Sequence, residues 1–486
     1  MSTAASVGLA ATSGLVSALA DYPRPIPLLA WFATAPVLIA ALRRGPRGAL
    51  WLGVISGCFA NVEPAREFLP VIPGVLVGAM ISSRVALTAV TLALTVVVAR
   101  RLSPALAVWA FAAAVVLGEW VGEVSGPGLW LTVASGQASV GWLRASSAVG
   151  GPYLVSFVVA LVNGTLALLV IGPRQTRLMA ALGTAITVGA VMLAGTLAAP
   201  LAPREARVAA VVHRLAGDVS NRWDQHHVRS EETWQVLAAY EALTRRAAAV
   251  GASVTVWPEY AVFVREADLP EWQARVASLA RDTGVVVVAG YIDVDHGLNR
   301  ALLATPDGGV DIYSKQALVP GMEDSWQHPG TEPFAAVSGV GLRIATRICY
   351  DLDFTGGTRA AGRAGVELLA VPARDWDGIE ERHAMQSVFR AAENGVAMVR
   401  ATRNGWSLLV DPSGRVLARE SSVGGAEVLL VGDVPIVRSG TVYSRAGNWV
   451  VAVAALGLLS AVVTSATARE KPVRESASAC ERRQPA

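Results

Sequence analysis

Three side chains of complementary chemistry stand at the ends of short β-rich runs in the second half of the chain: Glu259 after residues 254–257, Lys315 after 299–313, and Cys349 after 341–348. A carboxylate can take the proton of a thiol, and a nearby ammonium favours the thiolate and can stabilise the oxyanion of a tetrahedral intermediate. The thiolate is then a nucleophile able to hold an acyl group as a thioester. Strand ends of α/β sheets suit such a set, because the loops beyond them approach a substrate while the sheet stays rigid. Each residue also has an ordinary alternative. A lone cysteine is commonly a small buried hydrophobe, Glu259 a surface charge and Lys315 a solvated turn residue, and spacing alone does not bring the three together.

The elements that must position them alternate. A Val- and Ala-rich strand at 207–213 precedes a helical pattern at 231–249, with apolar Val236, Leu237, Tyr240 and Leu243 on its repeat. A strand at 254–257, a helix at 269–282 and a strand at 285–291 follow, and 299–313 reads as a hairpin turning at Asp307-Gly308-Gly309. The Cys349 strand, an apolar run at 366–371, a helix at 381–394 and a hairpin turning at Asp411-Pro412-Ser413-Gly414 complete the alternation. It fits one α/β domain, 204–445, with helices covering sheets.

The remainder has a different solvent. The chain is 486 residues long, 53% apolar and 16% charged, against about 25% charged in ordinary soluble proteins. Residues 145–173, 178–203 and 446–468 carry no charge. Apolar blocks at about 5–20, 26–42, 48–63, 73–99, 104–119, 150–171, 178–199 and 447–466 read as eight membrane spans. Domain boundaries follow: a membrane domain at 1–203, the α/β domain at 204–445, a last span at 446–468 and a basic tail at 469–486. The first block lacks a basic leader, so it reads as a retained span. The Gly-, Ser- and Trp-rich joint at 120–150 reads as a loop lying on the membrane surface.

Arg43, Arg44, Arg47, Arg100, Arg101, Arg174, Arg177 and the basic tail all fall on one side of this topology. Both termini are therefore expected in the cytoplasm and the α/β domain outside, in the cytoplasmic (inner) cell membrane. A net charge of +3 that comes partly from these joints makes no case for nucleic acid. Of Cys58, Cys349 and Cys480, only Cys349 falls in the outward segment, which excludes a disulfide framework there.

The order Trp257-Pro258-Glu259, Tyr313-Ser314-Lys315 leading into Leu318-Val319-Pro320, and Ile348-Cys349-Tyr350 resembles the Glu-Lys-Cys triad of the nitrilase superfamily. With spans on both sides, it is similar to that superfamily's membrane-embedded members, the apolipoprotein N-acyltransferases. Arg390 to Gly395, Ala401 to Gly405, Asp411 to Leu417 and Thr441-Val442-Tyr443 extend the resemblance. It implies an αββα sandwich on a helical membrane platform of about eight spans, without metal or organic cofactor. It further implies transfer of an acyl chain from a phospholipid, through a thioester on Cys349, to the α-amino group of a diacylglyceryl-cysteine lipoprotein. Glu259 maps to the general base, Lys315 to the thiolate and oxyanion stabiliser, and Glu323 to a second essential glutamate; Tyr350 and Trp223 map to supporting positions. The loops depart from the family: Gly321-Met322-Glu323-Asp324 replaces Phe-Gly-Glu-Tyr, Asp351 replaces Glu, His213-Arg214-Leu215 replaces Gln-x-Asn, and Arg374-Asp375-Trp376-Asp377-Gly378 replaces a longer loop. A membrane-tethered amidase of the same superfamily and a non-catalytic transporter or receptor are the competing readings. The spans' lack of paired carboxylates disfavours transport.

Overall fold

The computed structural model describes residues 1–21, 25–126, 128–198, 204–215, 229–438 and 440–467. Trp223, Cys480 and the tail at 469–486 lie outside the described residues. The first half is helical: α1 (Thr3–Asp21), α2 (Pro27–Arg44, interrupted by turns at 31–34), α3 (Pro46–Ala60), α4 (Val62–Phe68), α5 (Gly74–Arg101), α6 (Pro104–Ser125), α7 (Gly141–Ile171) and α8 (Arg174–Leu197).

Among the described residues seven helices are long and apolar enough to cross a membrane, namely α1, α2, α5, α6, α7, α8 and the last helix, Trp449–Thr467. The protein is thus a multi-pass membrane protein. Helices occupy all eight expected positions, but the third differs in length. α3 has 15 residues, about 22 Å at 1.5 Å per residue, which is short of a hydrocarbon core of about 30 Å. The chain there continues through Asn61 into α4 instead of crossing in one straight helix.

The joint at 120–150 also departs from expectation. It does not lie on a surface: Leu129, Trp130, Leu131, Ala134 and Gln137 are buried, and α7 already begins at Gly141. Its apolar side chains are covered by protein rather than by lipid headgroups. The expected start of the sixth span at 150 coincides with a kink, where Gly151 takes φ +68° and Pro152 cannot donate to the helix ladder. A Cβ at Gly151 would fall 2.3 Å from the Tyr443 ring, so the close approach requires glycine.

From residue 204 the chain alternates. Strands β1 (Arg204–Val212), β2 (Val254–Val256), β3 (Val262–Val264), β4 (Val286–Asp293), β5 (Leu298–Ala304), β6 (Val310–Ser314) and β13 (Val428–Ile436) form one sheet in the order β13-β1-β2-β4-β5-β6, with β3 also on β4. Strands β7 (Ala335–Gly339), β8 (Leu342–Thr346), β9 (Leu368–Arg374), β10 (Ala397–Arg403), β11 (Trp406–Val410) and β12 (Val416–Ser421) form the other, in the order β12-β11-β10-β9-β8-β7. Successive side chains of a strand point to opposite faces. Val208, Ala210, Val286 and Val288 therefore face the second sheet, where they meet Ile344, Leu368 and Val399 in one core. The alternate Ala209, Val211, Val287 and Ala289 face α9 (Ser230–Ala249) and α10 (Leu269–Thr283) through Leu237, Tyr240, Trp272 and Leu279. Burial on both faces is why these parallel strands read as unbroken apolar runs. α11 (Thr355–Arg363) and α12 (Glu380–Asn394) cover the far side of the second sheet, where Ala361, Ala384 and Ala391 pack. The fold is an αββα sandwich on a helical platform. α13 (Val442–Ala446) and α14 (Trp449–Thr467) return the chain to that platform.

The platform holds the sandwich through α12. Val388 and Phe389 pack against Tyr153, Leu154, Val155 and Val158 of α7. Beside them, buried Arg382 reaches into the helical layer: its Nε lies 3.2 Å from both Glu67 oxygens, Nη1 lies 3.1 Å from Asp21 Oδ1, and Nη2 donates to Asp21 O at 2.7 Å. Glu123 of α6 answers from below, accepting from Thr355 N at 2.7 Å and Thr355 Oγ1 at 2.8 Å. Removing one partner of a buried ion pair strands the other charge. Arg382→Ala is therefore expected to cost about 3 kcal/mol or more, read by thermal unfolding in detergent, whereas Arg245→Ala at the exposed Arg245–Asp282 pair should stay within about 0.5 kcal/mol.

Candidate active site

Each of the three chemistry-bearing residues sits where a strand gives out. After β2, Trp257 N still bonds Val288 O of β4 at 2.8 Å, and Pro258-Glu259 then run across Gly290. A Cβ at Gly290 would lie 2.1 Å from Pro258 O, so only glycine lets Glu259 pass so close to β4. Glu259 N next reaches over to the second sheet, donating to Ala373 O of β9. Lys315 follows β6, held by its N donating to Asn299 O at 2.8 Å. Cys349 opens a tight 3-10 turn, Cys349–Asp353, immediately beyond β8, at φ +48°. A non-glycine residue in that region is sterically costly and is kept where the surroundings enforce it.

Asp351 is one enforcer. Fully buried, it accepts from Ile348 N at 3.0 Å, Gln316 N at 3.1 Å, Ala317 N at 2.8 Å and Tyr313 OH at 2.8 Å. One carboxylate thus ties the cysteine turn to the loop that carries Lys315. The sequence marks Asp351 only as a departure from glutamate; its role is invisible there because Tyr313, Gln316 and Ala317, three of its four donors, lie more than 30 residues away.

The charges meet in the interior. Lys315 Nζ donates to Glu259 Oε1 at 2.8 Å and to Glu323 Oε1 and Oε2 at 2.7 Å each. All three side chains are at most 2% exposed. Asn299 Nδ2 donates to Glu259 Oε1 at 2.7 Å, while Val319 N and Tyr260 OH donate to Glu323 at 2.8 and 3.1 Å. Neither Asn299 nor Tyr260 carries a signal in the sequence beyond proximity to these loops. Burial by itself would lower the Lys315 ammonium, but the two carboxylates outweigh it and hold its pKa well above the ordinary value. Glu323 is pushed up by burial, against the pull of Lys315. The Cys349 thiol is raised well above its usual range by burial and then by the Glu259 charge, with Lys315 opposing. Its Sγ donates to Arg374 O at 3.1 Å, next to the Ala373 carbonyl that holds Glu259. At rest Cys349 is a thiol, and the Glu259 carboxylate, chemically able to take its proton, is anchored to the adjacent peptide.

Tyr350 lies beside Cys349 but its ring points away, into an apolar wall shared with the platform. It meets Trp130 edge-on at 5.3 Å and packs with Phe68, Val77, Leu131, Val319 and Ile379. Trp130 stacks on Phe68 at 4.8 Å and approaches Trp376 at 5.1 Å. The wall joins residues from the membrane helices to the residue next to the thiol.

Behind the thiol lies a second buried group. Ligand atoms of Cys349, Asp375 and His383 fall within 4.8 Å of one another. His383 Nδ1 is 2.6 Å from Asp375 Oδ1 and Nε2 is 3.2 Å from Asp353 Oδ2. With a carboxylate facing each ring nitrogen, the imidazole is an ion-pair partner and not a free metal ligand. Asp351→Ala would leave four donors without their acceptor, and the two fully buried ones, Tyr313 OH and Ile348 N, would cost about 1–3 kcal/mol each. We expect a fall in melting temperature of the full chain together with a changed rate of iodoacetamide labelling at Cys349; wild-type values for both would contradict the tethering role.

Residues 219–440 match the carbon-nitrogen hydrolase family and residues 13–165 match the apolipoprotein N-acyltransferase N-terminal domain. A Geobacter metallireducens apolipoprotein N-acyltransferase is 29% identical over 90% of this chain and 91% of its own. That of Azotobacter vinelandii is 30% identical over 68% of this chain and 67% of its own. Among solved structures, an amidase from Nesterenkonia sp. is similar at 24% identity and TM-score 0.38, over 49% of this chain and 93% of that one. With a membrane half and a carbon-nitrogen hydrolase half matched in this order, and relatives aligned through both, the chain belongs to the apolipoprotein N-acyltransferase family.

Proposed function

We propose that the enzyme takes a fatty acyl chain from a membrane phospholipid onto Cys349 and passes it to the N-terminal amine of a diacylglyceryl-cysteine lipoprotein. The observation that carries this reading is the buried Glu259–Lys315–Glu323 cluster set against a thiol whose neighbouring apolar wall is shared between the sandwich and the helical platform. A small-amide hydrolase has no use for that wall. In the first half-reaction Glu259 takes the thiol proton as Cys349 Sγ attacks the ester carbonyl, and the Lys315 ammonium stabilises the developing oxyanion. Collapse breaks the ester C–O bond, and Glu259 returns the proton to the departing lysophospholipid oxygen. In the second half-reaction the acceptor amine attacks the thioester, gives a proton to Glu259, and the amide forms as the Cys349 thiol is restored. No ATP is required, because a thioester is energetic enough to acylate an amine. Glu323 fixes Lys315 from the side opposite Glu259 and keeps the ammonium charged.

The domain limits fit this scheme: a platform at 1–203, a catalytic domain at 204–445 and an anchoring helix at 446–468. Orientation rests on the arginines. Arg100 lies against Gly45, and Arg101 Nη1 donates to Ser465 O near the end of α14 at 3.0 Å. The basic joints therefore gather at one end of the bundle, which we assign to the cytoplasm of the inner membrane, with the catalytic domain outside. A cysteine placed at exposed Asp282 should react with a membrane-impermeant maleimide in intact cells; labelling only after lysis would reverse the orientation.

The function is tested by incubating purified enzyme with phospholipid and a diacylglyceryl-cysteine peptide. The peptide should gain the mass of one acyl chain with wild-type enzyme and none with Cys349→Ala, and Glu259→Gln and Lys315→Ala should lose roughly 100-fold or more in rate. An unmodified peptide with release of free fatty acid would mark a hydrolase.

A further inference from the structure

The mechanism above leaves His383 unused, although it is buried, charged and close to the sulfur. Its Nδ1 lies 2.6 Å from Asp375 Oδ1 and 3.1 Å from Arg400 Nη2, and its Nε2 lies 3.2 Å from Asp353 Oδ2. Two carboxylates against one ring favour the imidazolium over either neutral tautomer. Burial would lower it, but Asp375 and Asp353 raise it to about 9.

Every element around the ring contributes. Asp353 comes from the cysteine turn, Asp375 from the end of β9, and Arg400 from β10, whose Nη2 donates to the same Asp375 Oδ1 at 2.8 Å. On α12 itself Arg390 is bonded to Glu393, and Trp130 of the platform closes the remaining side edge-on. Asp375 and Asp353 carry two negative charges; Arg400 and His383 carry two positive ones. Without the histidine charge the group would be net negative within reach of Cys349, which already faces Glu259, Glu323 and a single ammonium.

We propose that His383 is a positioning residue whose fixed positive charge neutralises Asp375 and Asp353 beside Cys349, and thereby keeps deprotonation of the thiol within reach of Glu259. It also ties the cysteine turn to the Arg374-Asp375 loop whose carbonyl receives the thiol. The inference rests on Cys349 as nucleophile, but alkylation reads the thiol without lipid or acceptor, so it can fail while acyl transfer stands.

The test uses the full chain in detergent and iodoacetamide labelling of Cys349, followed by intact mass. His383→Gln should slow labelling at pH 7.5 by about 10-fold or more, as removal of an opposite charge at this range shifts a pKa by about 1–3 units. Asp353→Asn combined with His383→Gln restores neutrality and should recover most of the wild-type rate. A purely structural role forbids that rescue, so a double variant as slow as the single one overturns the proposal. Wild-type protein supplies a check independent of any variant's folding. Hydrogen–deuterium exchange at the His383 ring should titrate near pH 9, with the ion-pair stabilisation complete below about 6.5 and lost as pH rises through about 9. Titration at or below the ordinary histidine value would overturn the inference.

Discussion

One ammonium held between two carboxylates, away from water, is the interaction on which the rest depends. Lys315 and Glu323 share the loop after β6 and Glu259 lies in the loop after β2, and none tolerates burial alone. In a low-dielectric interior each attraction is strong, and each missing partner is correspondingly expensive. The cluster can form only if the ends of β2 and β6 are held in fixed register. The packed sheets provide that rigidity; the hydrogen bond from Glu259 N to Ala373 O ties the first sheet to the second at the site, and that from Cys349 Sγ to Arg374 O ties the ends of β8 and β9 within the second.

The second constraint is the meeting of two solvents. A thiol at the end of β8 is useful for lipid chemistry only if apolar surface leads to it from the bilayer. Phe68, Val77, Trp130 and Leu131 of the platform meet Tyr350, Val319 and Ile379 of the sandwich, so the nucleophile's neighbour is itself part of the wall. Arg382 and Glu123 hold this junction with ion pairs and hydrogen bonds between the halves, and α12 packs its apolar face on α7. The apolar wall beside Cys349 and the stability of the interface are therefore built from the same junction.

Much of this was legible before any coordinates. The strand before Glu259 is legible because burial on both faces removes polar residues, the hairpin before Lys315 through its Asp307-Gly308-Gly309 turn, and the helix at 230–249 because its apolar repeat survives on one face. What escaped were features set by partners distant in sequence. Short β3, β7 and the late β13 lack enough residues or alternation to stand out, and β13 is fixed only by its ladder with β1. The loop at 120–150 was misplaced because Trp and Gly suit a membrane surface and a domain junction equally well; the burial of Trp130 is decided by the sandwich above it. Asp351 and His383 look ordinary in the sequence, since Asp351 gains its role chiefly from the loop at 313–317 and His383 from Asp353, Asp375 and Arg400 on three other elements.

The central claim is that this cluster turns Cys349 into an acyl carrier. Its most direct test is the intact mass of purified enzyme given phospholipid but no acceptor. A mass gain of one fatty acyl chain, mapped to Cys349 and removed by hydroxylamine, is the expected result. No adduct after exposure to a range of phospholipids, or an adduct of the same mass that persists when Cys349 is replaced by alanine, would contradict it.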